Sequence, residues 1–312
     1  MWNLSKINMT AKVILNPYAN RWRALKRQPE MESALQKANI PYQLVKTSIP
    51  GEGVRLAYQA VLDGFSPIIA AGGDGSISDV VNGIMHAVQE NKVSPPPLGL
   101  MPLGSANDLV VNLKLPLDLE NACTVIAQNQ TQWIDLGIVN GRYFDNNSAI
   151  GLEPSITLIQ QQISYPRGAL RYLLATLIGV MKKPSWQVEL EWENGHYAGL
   201  VSLVTVGNCA VTGGLFYMTP HANPFDGMLT FVYGYIPTRR QIFQILPKTM
   251  KPEQGSYVEH PSIHEIHSRW LKIHAYQATP LHADGEIQSK AIQQIEYQDS
   301  PHSLPILMPL RS

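Results

Sequence analysis

Five residues, Gly72-Gly73-Asp74-Gly75-Ser76, combine what a phosphate site needs: backbone open to close approach and an oxygen that can hold a cation. Glycine carries no Cβ, so successive N–H groups can close on an anion. Before this turn, residues 67–71 form an apolar run. After it, apolar side chains recur at Ile77, Val80, Val81, Ile84, Met85 and Val88. That spacing predicts an amphipathic helix over 77–88. Strand, glycine turn and helix follow one another, and the helix N-terminus adds partial positive charge. Asp74 would repel a bare phosphate, so a bridging Mg²⁺ is the natural reconciliation. The plain alternative is a βα turn that needs glycine only for its backbone angles.

A second turn of related composition runs Pro102-Leu103-Gly104-Ser105-Ala106-Asn107-Asp108. In a parallel sheet both turns lie at the carboxyl ends of strands, where ligands bind. Two further motifs come later: Gly213-Gly214 with the stretch Pro220 to Gly227, and Asp284-Gly285-Glu286. Each has a plain reading beside the chemical one. Asp226-Gly227 and Asp284-Gly285 suit ordinary turns, and Asp108 suits a helix N-cap.

The elements that must position these residues fall into two kinds. Short apolar strands are predicted at Lys12–Asn16, Tyr42–Lys46, 67–71 and Leu98–Met101. Between and after them, helices are predicted over Glu30–Asn39, Gly53–Leu62, 77–88 and Leu119–Gln128. That alternation predicts a doubly wound, largely parallel α/β domain over 10–134, with 300–312 packing back on it. Beyond Trp133 the pattern changes. Asn140-Gly141 and Asn194-Gly195 each separate two strand-like runs, the strongest short hairpin signal. Further strands are expected at Met228–Tyr235, Trp270–Tyr276, Ile292–Tyr297 and Leu304–Leu307. A mostly antiparallel β-sandwich domain over 135–299 follows, with one helix inserted at about Gly168–Met181. The wider stretch from Arg167 to Lys183 has its apolar face at Leu170, Leu173, Leu174, Leu177, Ile178 and Met181. A helix packed on the core is the default for such a face; a lid that faces a membrane is the sharper alternative.

Composition narrows the function classes. The chain has 312 residues, with 24 Lys+Arg against 24 Asp+Glu, a formal net charge of zero. Zero net charge argues against a protein held to nucleic acid by a strong basic field. Two distant cysteines, Cys123 and Cys209, make neither a disulfide framework nor a zinc site and suit a reducing compartment. His260, His264 and His267 fit no established zinc spacing and read as a surface loop. No signal peptide is read at the start, where Met9 is an alternative first residue to Met1, and no apolar run is long enough to span a bilayer. A cytoplasmic protein that touches the inner membrane surface transiently is the expectation.

Taken together and in this order, the motifs resemble the diacylglycerol kinase catalytic family, above all its bacterial soluble lipid kinases. The resemblance runs from Lys12 to about Leu307. It includes the Asn16-Pro17 strand end, Thr47 with Gly51 four residues on, both glycine turns, Asp226-Gly227 and Asp284-Gly285-Glu286. It implies ATP-dependent phosphoryl transfer to a lipid hydroxyl, most simply diacylglycerol to phosphatidic acid, with nucleotide on the first domain. It places Asn16, Thr47, Gly72, Gly73, Asp74, Gly75, Ser76, Ile77, Ser78, Gly104 and Ser105 at the nucleotide. It makes Glu286 the general base, and Asp74 and Asp108 the acidic residues that organise Mg²⁺. A second, structural Mg²⁺ or Ca²⁺ would sit at Asn223, Asp226 and Met228, with a carboxylate from Asp226 and backbone carbonyls from the others. The implied partners are ATP, a lipid acceptor and a membrane surface, and some family members are homodimers. Three positions depart from the family: Ser76 and Ser105 stand for threonine, and Asn20 for the glycine after Asn-Pro. Serine keeps the hydroxyl, and asparagine tolerates the left-handed backbone. NAD kinases and phosphofructokinases share the Gly-Gly-Asp-Gly turn and are the runner-up enzymes; a non-catalytic lipid- or nucleotide-binding protein is the reading from another class.

Overall fold

The structure is a computed structural model that describes residues 10–165, 169–182, 185–250 and 256–310. The alternative start residues Met1 and Met9, together with Arg167, Gly168 and Lys183, lie outside them. The chain divides into two compact units. One runs up to Leu136 and resumes at Pro301; the other is Gly137–Ser300.

The first unit is a parallel sheet covered by helices. Strands β1 (Ala11–Leu15), β2 (Tyr42–Lys46), β3 (Ile68–Gly72) and β4 (Leu98–Pro102) lie in the order β2-β1-β3-β4. β3 and β4 are buried along their whole length, as expected of parallel strands covered on both faces. Ile306 pairs in parallel with Leu98 and so adds a further strand beside β4. The helices are α1 (Ala19–Lys26), α2 (Gln28–Lys37), α3 (Glu52–Leu62), α4 (Asp74–Asn91), α5 (Asp108–Asn112) and α6 (Leu119–Gln128). Val13, Leu15, Met31, Leu35, Ile69, Met101 and Ile126 belong to one buried cluster of this unit. α3 and α4 lie so close that a Cβ on Gly83 would stand 2.2 Å from the Val54 carbonyl oxygen.

The second unit is antiparallel. Its elements are β5 (Thr131–Val139, which begins in the first unit), β6 (Arg142–Phe144), β7 (Asn147–Gly151), α7 (Leu152–Gln162), α8 (Ala169–Lys182), β8 (Trp186–Trp192), β9 (Gly195–Val201) and β10 (Leu203–Gly207). Then come β11 (Val211–Thr212), β12 (Phe216–Tyr217), β13 (Leu229–Gly234), α9 (Arg239–Ile245), β14 (Ile263–Ser268), β15 (Trp270–Ala283) and β16 (Glu286–Leu307). One layer has the order β14-β13-β10-β7-β15. β15 shifts register between His274 and Leu281; before the shift it pairs with β8, and after it with β7. Such irregularities let one strand bend and serve both layers of a sandwich. Phe144, Trp192, Phe231, Tyr233 and Tyr297 pack in the core.

Several expectations need correction. The helix after the glycine turn begins at Asp74, not Ile77, so Asp74, Gly75 and Ser76 form its first turn. Among the described residues three α-helices, not one, accompany the sandwich, since α7 and α9 join α8. α7 hid behind Glu153-Pro154, which resembles a turn, although proline is tolerated in a first helical turn. β16 is one continuous strand where two were expected, because the polar stretch Gln298 to Ser303, with Pro301, separates its two apolar runs. His264 and His267 lie on β14 rather than in a loop. There His264 stacks on Tyr233 at 5.0 Å, and His267 Nδ1 is 3.0 Å from Thr230 Oγ1.

Replacing Gly83 by alanine tests the closest helix contact. Backbone cannot yield cheaply to the added methyl group, so Gly83→Ala lowers stability by about 1–3 kcal/mol in thermal or urea unfolding. An unchanged midpoint would mean that α3 and α4 stand further apart.

Candidate active site

In the first unit, hydrogen bonds connect three loops at the carboxyl ends of β1, β3 and β4. Asn16, just after β1, donates from Nδ2 to Ser76 Oγ at 2.9 Å. Ser105 Oγ donates to Asn20 Oδ1 at 3.0 Å, and Asn20 Nδ2 donates to the Gly104 carbonyl at 3.4 Å. The Gly104 N–H donates to Asn107 Oδ1 at 2.9 Å. Asp74 accepts from two backbone groups of that turn, Asn107 N at 3.1 Å and Asp108 N at 2.5 Å. Sequence alone did not mark Asn107 as a site residue. Its side chain closes the turn while its backbone takes the left-handed conformation at φ +54°.

Glycine is required at Gly104 because the two turns touch. A Cβ there would lie 2.4 Å from Gly73 Cα and 2.6 Å from Asn107 Oδ1. Asn20 does adopt the left-handed conformation expected of it, at φ +49°, and Arg21 and Trp22 follow at +57° and +69°. The resulting loop leaves Trp22 and Tyr18 exposed, edge to face at 4.4 Å.

The N-terminus of α4 has no side-chain cap at Gly73. The Ser76 and Ile77 N–H groups return to the Gly73 carbonyl at 2.9 and 3.0 Å, and the Asp74 N–H meets its own carboxylate, so what the helix start offers an anion is chiefly its partial positive charge. Asp108 is the first residue of α5 rather than its N-cap, since Asn107 holds that place. Asp108 is buried, as are Thr47, Ser76, Ile77 and Ser78. Ile77 and Ser78, at 1% and 0% exposure, offer a ligand almost no surface, side chain or backbone. Burial pushes the Asp74 carboxyl above the ordinary carboxylate range, although the Asp108 and Asn107 N–H groups pull the other way. A carboxylate has about four acceptor positions, so Asp74 retains room for a hard cation after the N–H bonds from Asn107, Asp108 and its own backbone.

In the second unit, the two acids of Asp284-Gly285-Glu286 have opposite surroundings. Asp284 is buried at φ +47° and accepts from the backbone N–H groups of Asp145, Asn146 and Asn147 at 3.2, 3.0 and 3.3 Å. Glu286, the first residue of β16, is exposed. Asn223 and Asp226 are exposed too, and Asp226 Oδ1 accepts from the Met228 N–H at 3.1 Å, as in a plain turn. Among the described residues no cluster of three or more His, Cys, Asp or Glu could hold a metal.

The same unit contains a pocket whose lining includes Leu152, Ile156, Val180, Leu203, Phe216 and Ile245. Glu153 also reaches it. Its carboxylate accepts from Asn147 Nδ2 and Thr205 Oγ1, both at 2.9 Å, and lies 3.3 Å from His282 Nε2. Burial pushes the Glu153 carboxyl up; His282, Asn147 and Thr205 more than offset it and hold it below the ordinary range. Sequence reasoning missed this cluster, although an acid inside the apolar run 149–156 was a visible signal.

A parallel α/β unit with a glycine turn at a helix N-terminus, joined to a β-sandwich with an apolar pocket, is the architecture of a phosphotransferase. The diacylglycerol kinase catalytic domain family matches residues 10–139, and the YegS C-terminal NAD kinase beta sandwich-like domain matches residues 147–308. A protein of Chromohalobacter salexigens named "Probable lipid kinase YegS-like" is 30% identical over 239 residues, covering 76% of this chain and 74% of its own. A diacylglycerol kinase of Staphylococcus saprophyticus is 24% identical over 281 residues, 90% of each chain. Crystal structures of a diacylglycerol kinase from Bacillus anthracis str. Sterne superpose with TM-scores of 0.76 and 0.69 at 17% identity, covering 96% of this chain and 97% of that one. These show the fold. The chain belongs to the diacylglycerol kinase and YegS-like lipid kinase family, enzymes that transfer a phosphoryl group to a hydroxyl.

The contrast within Asp284-Gly285-Glu286 is open to a stability measurement. Asp284→Ala leaves three buried N–H groups without their acceptor and lowers stability by at least about 2 kcal/mol. Glu286→Gln stays within about 0.5 kcal/mol of the parent, as surface substitutions do. Equal effects on the unfolding midpoint would contradict the assignment.

Proposed function

We propose that this chain transfers the γ-phosphoryl group of ATP to the hydroxyl of a lipid, with diacylglycerol the first candidate and phosphatidic acid the product. The observation that carries the lipid reading is the apolar pocket of the second unit. An NAD or sugar-phosphate acceptor would call for a polar lining, whereas hydrocarbon chains gain from leaving water.

In this reading the uncapped N-terminus of α4 and the turn at Gly104 and Ser105 hold the nucleotide phosphates, with Asn16 and Thr47 beside them. The donor set at Asp74 and Asp108, hard carboxylate oxygens, suits Mg²⁺, which when bound neutralises charge on the transferring group. Glu286 accepts the proton of the lipid hydroxyl, a task that suits an exposed carboxylate outside the network that holds Asp284. The oxygen donors at Asn223, Asp226 and Met228 suit a second, structural Mg²⁺ or Ca²⁺. Nucleotide binding belongs to the α/β unit (10–134, with 300–312) and lipid binding to the sandwich (135–299).

A membrane surface is the expected source of the lipid. No helix among the described residues is long and apolar enough to cross a membrane. Among the described side chains of α8, 174–182, the buried positions are Ala175, Thr176, Gly179 and Val180, while Leu177 and Met181 are 44% and 49% exposed. Part of the apolar stripe expected to face the core therefore faces outward. Phe243 of α9 is exposed as well, and Arg239 Nε donates to the Met181 carbonyl at 3.0 Å, which ties the two helices together. Lys182, Arg239, Arg240 and Lys248 are exposed on these segments, and no acidic residue lies in 169–182 or 239–250. Apolar side chains rimmed by cations suit the interface of an anionic bilayer.

The deciding experiment offers labelled ATP and Mg²⁺ with diacylglycerol, monoacylglycerol, sphingosine, ceramide, phosphatidylglycerol, NAD and fructose 6-phosphate. A labelled lipid that disappears with Glu286→Gln, while that variant still binds ATP, is the expected result. Labelled NAD or sugar would replace the lipid reading with a sister activity; no product with ATP binding intact would favour a binding protein. For the membrane face, Leu177→Glu with Phe243→Glu lowers sedimentation with phosphatidylglycerol vesicles by roughly tenfold or more, given what one buried apolar side chain contributes. Undiminished sedimentation would exclude α8 and α9 as the docking face.

A further inference from the structure

The pocket of the second unit carries one feature that an acyl chain does not need. Among the described residues of its lining, Glu153 is the charged one. The polar groups around it are turned into the protein: Ser202 Oγ accepts from Ile236 N at 3.2 Å, Thr249 Oγ1 donates to the Leu246 carbonyl at 2.7 Å, and the Tyr257 hydroxyl donates to the Met218 carbonyl. Glu153 reaches the cavity and keeps 10% of its side chain exposed, while its oxygens bond to Asn147 and Thr205. Burying a charge beside apolar surface is costly unless its oxygens are occupied.

The occupancy of those oxygens is incomplete. Oε1 takes Asn147 Nδ2, and Oε2 takes Thr205 Oγ1. His282 is 1% exposed, and its 3.3 Å contact with Oε1 lacks hydrogen-bond alignment. Its Nδ1 and the side-chain oxygen Asn147 Oδ1 have no hydrogen-bond partner among the described residues. Three adjacent strands, β10, β7 and β15, thus each aim one side chain at the first turn of α7. The strand donors fill two of about four acceptor positions on the carboxylate.

We infer that Glu153 is a specificity-determining residue, which selects lipids that place a hydrogen-bond donor, a hydroxyl or an ammonium group, beside their hydrocarbon chain. This rests on the lipid reading of the pocket. A carboxylate accepts and does not donate, so it rewards donors, is indifferent to an ester and repels a second carboxylate. The pocket therefore takes monoacylglycerol-like or long-chain amine lipids and rejects free fatty acids. Burial strengthens the discrimination, because a hydrogen bond to a charged group is worth more than one between neutral groups.

The test is direct binding without nucleotide, using 1-monooleoylglycerol, oleylamine, methyl oleate and oleate, chains of the same length with different polar ends. The parent protein binds monooleoylglycerol or oleylamine at least about tenfold more tightly than methyl oleate, and oleate most weakly. Which donor lipid leads separates hydroxyl from ammonium. Glu153→Gln retains binding of methyl oleate and narrows the preference to within about threefold. Thr205→Val removes a competing donor from Oε2 and widens the preference, which keeps the test informative if Glu153→Gln does not fold. Ile156→Trp fills the pocket and weakens all four. Equal affinities in the parent, or an unchanged preference in Glu153→Gln and Thr205→Val, would overturn the inference. Phosphoryl transfer is read separately: donor preference without transfer would remove the kinase reading alone, and transfer without donor preference would remove this one alone.

Discussion

One carboxylate holds the first unit's candidate site together. Asp74 lies in the first turn of α4, and its oxygens accept the N–H groups of Asn107 and Asp108, more than thirty residues further along the chain. Those N–H groups stand at the start of α5, where no earlier helical carbonyl can reach them. Pairing of β3 with β4 up to Gly72 and Pro102 brings the two turns side by side, and Asp74 fixes the second turn against the first. The contact also forces glycine at Gly73 and Gly104, whose backbones meet where a Cβ would collide.

The same carboxylate is the natural ligand of a cation, and this creates a tension. Burial makes ionised Asp74 costly, so its pKa is raised above that of the unfolded chain. By linkage, its contribution to stability is fully present below the unfolded pKa and is lost as pH rises through the folded one. A divalent ion in contact with it would reverse that trend by favouring the charged form. The site is in this sense built under strain without ligand, as functional sites often are.

Much of this was legible in the sequence, because its signals are local. The strand β2 and the helix α6 have the expected limits, and both Asn-Gly hairpins formed where the dipeptides stood. The misses have a common cause: partners distant in the chain. Asn147 lies six residues before Glu153, but nothing near them announces Thr205 and His282, which reach the carboxylate only after three strands pair. Asp284 and Glu286 look alike as letters, and only the approach of residues 145–147 makes one an anchor and leaves the other at the surface. The apolar stripe of α8 gave the helix but not its facing, because periodicity cannot tell a core from a membrane.

The first unit is discontinuous: its sheet gains the strand beside β4 only from residues after Pro301. That has a consequence for synthesis on the ribosome. For as long as the sandwich is being made, the nascent α/β sheet keeps an open edge at Leu98, with backbone groups ready to pair with any passing chain. Folding from the N-terminus cannot be finished in order of appearance. A strand translated after the sandwich closes the unit translated before it, so a chain halted within the sandwich has an α/β unit with an exposed seam, a ready substrate for chaperones and proteases.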